Sequence, residues 1–165
     1  MGSKMPIHER SGFDLTVHES YTSSQADYPT SGPWMWEPDQ IEWEFQGVLC
    51  FMFRDDELGV WMAYASVPEG HPLFGVYHDF AHVSVHEGLT FSGPKLPRGF
   101  QHMNEDGTKR WWFGFDCGHA MDLRPLDRVQ MLMRQRRDGI VYRTVSYVKR
   151  ETMRVVAQLI GRQEE

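Results

Sequence analysis

The chain has 165 residues and a mass of 19.3 kDa, with 41% hydrophobic and 24% charged side chains. That is enough for one well-cored domain and too ordinary in composition for disorder, a coiled-coil rod or collagen. The longest apolar runs, Val48 to Phe53 and Val60 to Ala65, fall far short of the ~20 residues a membrane span needs, so no membrane partner is expected. Formal charge is −6, with 3 basic against 11 acidic groups over residues 1–60 and 10 against 6 over residues 121–165. An acidic total argues against nucleic acid as a partner.

In chain order, residues 1–40 read as a polar arm and loop, with a short alternating piece from Phe13 to His18 suited to an edge strand. Residues 41–165 read as a single α+β domain. Ile41, Trp43 and Phe45 alternate with Glu42 and Glu44, the pattern of a half-buried strand with an acidic outer face. Val48–Phe53 and Val60–Val67, apolar on both faces and joined by a charged turn, predict a central antiparallel hairpin. The period of two from His82 to His86, with Val83, Val85 and Phe91, predicts another strand. Residues 93–110 read as a loop, and Trp111–Asp116 as a short buried strand. Pro125 is placed to open a helix that ends before Gly139. A short strand over Ile140–Val145 then leads to a last helix capped by Ser146 and running to about Ile160. The expected fold is therefore a mainly antiparallel sheet with two late helices packed on it.

Reactive side chains concentrate in two glycine-bearing segments, residues 85–93 and 111–122. The reading that asks least of the geometry is a ligand site. His86, Thr90, Ser92, Asp116, His119 and Asp122 supply polar contacts, Trp111 or Trp112 a stacking wall, and Arg143 or Arg150 a phosphate partner. It points to a small, phosphorylated or nucleotide-like molecule and needs no cofactor. The alternative is a metal-dependent hydrolase in which His86, Asp116, Cys117, His119 and Asp122 hold zinc or manganese. A further chemical reading makes Cys117 a nucleophile beside His119 or His86. The acidic stretch from Trp34 to Glu44, with Trp36 and Trp43, offers a docking segment for a protein partner. Two cysteines, Cys50 and Cys117, make no disulfide framework, and no signal-peptide pattern opens the chain, so a cytoplasmic location is expected.

The two segments resemble a family of small phage, prophage and bacterial proteins of unassigned activity. Its shared stretches look like Val-His-Gly-Gly-Leu-Thr-Tyr-Ser-Gly and Trp-Trp-Phe-Gly-Phe-Asp-Cys-Ala-His-Ala-Gly-Asp. The likeness falls on Val85, His86, Gly88, Leu89, Thr90, Ser92 and Gly93, and on Trp111 through Cys117, His119, Ala120 and Asp122. Gly70 to Leu73, Tyr147, Val148 and Glu151 also look like family positions, so the similarity covers residues 64–160. Glu87 and Met121 stand where the family pattern has glycine. The resemblance implies a phage setting, hence the host cytoplasm. By analogy it suggests a protein that sequesters a nucleotide signal in a deep site, often one shared between subunits of a homo-oligomer.

Overall fold

A computed structural model describes residues 4–6, 18–20, 28–100, 107–133 and 139–164. Seven strands form one antiparallel sheet: β1 (Lys4–Pro6), β2 (His18–Ser20), β3 (Gln40–Phe45), β4 (Val48–Arg54), β5 (Trp61–Pro68), β6 (Phe91–Gly93) and β7 (Arg110–Asp116). Their spatial order is β1-β2-β3-β4-β5-β7-β6. Two helices follow, α1 (Arg128–Met133) and α2 (Val145–Gln163). The α+β class with a mainly antiparallel sheet and late helices is as expected. The Phe13–His18 strand expectation lies outside the described residues except for His18, which opens β2.

Register explains why β4 and β5 are apolar on both faces. Trp43, Cys50, Ala65 and Phe113 form one row across the sheet, on the face that α2 covers with Val148, Val155, Val156 and Leu159. The neighbouring row holds Phe51, Tyr64, Gly114 and Phe91 and faces the other way, under Leu96 and Phe100. Period two thus delivers alternate residues of each central strand to two separate cores.

The buried stripe of α2 recurs every three to four residues, and Thr144 caps it by accepting the N–H of Tyr147 at 3.2 Å. Ser146, expected as the cap, is inside the helix. Glu37 adds a second cap from far away: its Oε2 accepts the N–H of Val145 at 2.7 Å, while Oε1 accepts Trp61 Nε1–H and the Tyr142 hydroxyl. Arg54 anchors the same segment through Asp39 at 2.6 Å and the carbonyls of Trp34 and Glu37. Trp34 and Trp43 are buried, and of the three tryptophans there only Trp36 is exposed, so the stretch from Trp34 to Glu44 is a packed element instead of a free docking segment. At the far end of α2, His71 donates from Nε2 to the carbonyl of Leu159 at 2.8 Å and accepts the N–H of Leu73 on Nδ1 at 3.0 Å, which fixes its tautomer.

Three local expectations are corrected. Residues 82–90 do not form a strand. His82 and Glu87 have positive φ, and the side chain of Gln158 on α2 takes both backbone groups of Ser84 at 2.7 Å, where a neighbouring strand would otherwise pair. Ile140–Val145 contributes only an isolated bridge, Asp122 to Val141. α1 starts three residues after Pro125, at Arg128, because Asp127 precedes it and accepts the N–H of Gln130 at 3.0 Å. Its Met131 is buried with Trp34 and Leu123, and residues 134–138 of the expected helix lie outside the described residues.

Gly114, inside the Trp-Trp-Phe-Gly-Phe motif, answers a close approach. A Cβ there would lie 2.5 Å from two ring carbons of Tyr64, its partner across β5. Gly114→Ala is expected to lower stability by about 1–3 kcal/mol through overpacking, read as a shifted urea midpoint at constant slope. An unchanged midpoint would show that the Tyr64 ring can move aside freely.

Candidate functional site

β7 ends at Asp116, and the turn after it carries Cys117, Gly118, His119 and Asp122 toward the loop that holds His86. Asp116 fixes this turn by accepting the N–H of Gly118 on Oδ1 at 3.0 Å. Asp122 is 1% exposed, and both oxygens of its carboxylate accept hydrogen bonds. Oδ2 accepts from His86 Nε2 at 2.8 Å and from the backbone N–H of His119 at 3.1 Å, and Oδ1 accepts from Arg143 Nε at 2.9 Å. Its own carbonyl accepts Gln130 Nε2–H at 2.8 Å.

His86, itself buried, continues the chain on its other side: Nδ1 lies 2.8 Å from the hydroxyl of Tyr147, which in turn lies 3.4 Å from Glu151 Oε1. The guanidinium of Arg143 sits over the Tyr147 ring, 4.9 Å from its centre. The His119 ring meets that of His86 edge-on at 6.1 Å, and His119 Nε2 is 3.4 Å from Asp116 Oδ1. Thr90 donates to the other oxygen of Asp116 at 3.1 Å. Two imidazoles, a phenol, a guanidinium and three carboxylates therefore share one neighbourhood, and Tyr147, Arg143, His119 and Asp116 are its half-exposed rim.

Burial pushes the Tyr147 phenol up, aided by Glu151 and opposed by Arg143, so it rests protonated. Burial works against the charge of Arg143, but the hydrogen bond and charge of Asp122, with Tyr147, more than offset it, and its pKa is raised. Cys117 is 2% exposed, and burial, then Asp122 and Asp116, push its thiol well up. This is the setting of an inert packed thiol, the opposite of what a nucleophile needs.

Of the residues expected at the site, His86, Thr90, Asp116, His119, Asp122 and Arg143 come together. The tryptophans do not. Trp112 is fully buried on the opposite face of the sheet, with Phe51 and Phe53. Trp111 lies five residues before Asp116, about 17 Å along a strand, and donates its indole N–H to the carbonyl of Val76 at 2.9 Å. Neither forms a stacking wall. Ser92 accepts the N–H of His78 at 2.9 Å instead of facing His86. Arg150 is exposed, three residues after Tyr147 on α2, and makes no hydrogen bond or ion pair to the His86 group among the described residues. Among the described residues no three His, Cys, Asp or Glu side chains converge as a metal-ligand set, and both oxygens of Asp122 already carry protein donors.

Tyr147 and Glu151 were not expected as site residues. The usable signal was spacing, since Arg143, Tyr147 and Glu151 recur every four residues where α2 begins. A separate cavity of about 260 Å³ lies on the α1 side of the turn, lined by Ala120, Arg124, Val129, Gln130, Met133 and Ile140 among others, and touches none of the His86 group. Among the described residues no helix is long and apolar enough to cross a membrane. No family model, curated protein or solved structure matches the chain.

Glu87 has φ +54° and Gly88 follows at +83°, a pair of left-handed positions that both favour glycine. Glu87→Gly is expected to raise stability by up to about 1 kcal/mol, measured by denaturant unfolding. A loss of stability would mean that the exposed Glu87 side chain makes a contact worth keeping. Both cysteines are buried, so neither should react with a thiol-exchange reagent in the native protein and both should react in denaturant. Rapid native labelling of Cys117 would restore the thiol as a chemical group.

Proposed function

We propose that the protein binds a small phosphorylated ligand, of the kind a nucleotide carries, at the rim formed by Arg143, Tyr147 and His119. The observation that carries this reading is the placement of Arg143. Its Nε is committed to Asp122 and its plane is held over Tyr147, while its terminal nitrogens make no hydrogen bond or ion pair among the described residues. A guanidinium pinned at one nitrogen has lost most of its rotamer freedom and still presents donors in the geometry that suits phosphate. His119 and the Tyr147 hydroxyl supply further polar contacts. The displaced tryptophans leave the phosphoryl end as the better supported part of the ligand. The resemblance to phage and prophage proteins supports a setting in a host cytoplasm, where such a protein could act on a phosphorylated signal.

The test is thermal shift with inorganic phosphate, nucleoside monophosphates and cyclic nucleotides. A ligand at a hundred times its dissociation constant adds about 2.7 kcal/mol of stability. Arg143→Gln should lower the starting melting temperature, because it removes a partner of buried Asp122, and should abolish the shift in the fraction that circular dichroism shows to be folded. A panel with no shift, or one that Arg143→Gln leaves intact, overturns the reading.

A further inference from the structure

His86 is held as a catalytic imidazole is held. With the ring neutral, Nε2–H donates to Asp122 at 2.8 Å and Nδ1 accepts the hydroxyl proton of Tyr147 at 2.8 Å. This is the connectivity of a hydroxyl–imidazole–carboxylate triad with a phenol in place of the alcohol. Asp122 is in turn immobilised by Arg143, His119 and Gln130, so the orientation of the ring is fixed by contacts that do not depend on a ligand.

We propose that Tyr147 is a nucleophile, activated by His86 and oriented through Asp122, that attacks the phosphorus of a small phosphate ester held by Arg143. The proposal rests on the phosphate-binding reading above and adds chemistry to it. In the first step the Tyr147 oxygen–phosphorus bond forms, the phenolic proton passes to His86 Nδ1, and the bond from phosphorus to the leaving alcohol breaks. The imidazolium, matched by the charge of Asp122, then gives its proton to the leaving oxygen. Water attacks the phosphotyrosyl group, His86 takes the proton of that water, and the proton returns to the Tyr147 oxygen as its bond to phosphorus breaks. The sum is hydrolysis of one ester bond, with water as the only co-reactant. A phenol that rests protonated needs a base in contact at the moment of attack, and His86 is that base. Arg143 holds a cation over the Tyr147 ring, 4.9 Å from its centre, on the side where the phosphate would bind.

The protein is treated with diethyl 4-nitrophenyl phosphate, which releases one 4-nitrophenolate per reactive phenol and leaves a diethylphosphoryl mark that mass spectrometry locates. Stoichiometric release with the mark on Tyr147 is expected. Tyr147→Phe should abolish it, and His86→Gln and Asp122→Asn should slow it by about a hundredfold. Circular dichroism checks that each variant is folded, and if His86→Gln is not, Asp122→Asn and Tyr147→Phe decide. No mark, a mark on the exposed Tyr77 instead, or rates that Asp122→Asn leaves unchanged would overturn the proposal. Thermal shift with inorganic phosphate runs in parallel. Stabilisation without labelling keeps the binding reading and removes the nucleophile, whereas labelling of Tyr147 without stabilisation does the reverse.

Discussion

Four separate stretches of chain converge on Asp122: the loop at His86, the turn at His119, the start of α1 through Gln130, and the approach to α2 through Arg143. A carboxylate this deeply buried is tolerable only while its partners stay in place, since breaking a buried pair costs about 3–5 kcal/mol. The reverse also holds: none of these stretches belongs to the sheet, and Asp122 gives them a common fixed point. The sheet supplies rigidity, and the buried carboxylate supplies position. Irregular chain beside the end of a strand can therefore hold an imidazole in a single orientation.

Arg54 and Glu37 repeat this arrangement at the other side of α2's first turn. Arg54 satisfies carbonyls of the segment that precedes β3, and Glu37 from that segment satisfies the first peptide of α2 and two buried donors. The placement of Tyr147, two residues into α2, thus depends on two buried carboxylates, Glu37 fixing where the helix starts and Asp122 fixing what its first turn meets. Such networks contribute less to net stability than to selecting one arrangement among several, because a half-satisfied version is costly.

The last helix is legible from its period of three to four residues, and the central hairpin and β7 from short apolar runs bounded by charged or glycine-bearing turns, which burial on both faces explains. The stretch from His82 to Phe91 misled for a physical reason. Its alternation of Val83 and Val85 with polar groups is real, and Ala81 and Val85 are buried, but Gln158 stands in for the missing neighbour strand, and no local pattern announces a side chain 74 residues away. The same holds for Glu37 and Arg54, whose charge reads as solvated surface until their partners are known. At the site, the meeting of His86 with Asp122 was legible from the density of polar groups beside glycines. Tyr147 was not, because a tyrosine near the start of an amphipathic helix is ordinarily packing. The tryptophans misled through strand alternation: two adjacent indoles must point to opposite faces, and both faces of this sheet are already covered.

The bond between Glu37 and the first peptide of α2 joins positions 108 residues apart. During synthesis the early segment therefore waits, with its carboxylate and aromatic neighbours unmatched, until residue 145 has left the ribosome. Long-range closure of this kind is slow compared with forming either element alone. A product stalled before that point would carry the sheet strands alone, and the contact between His86 and Tyr147 forms only as α2 docks.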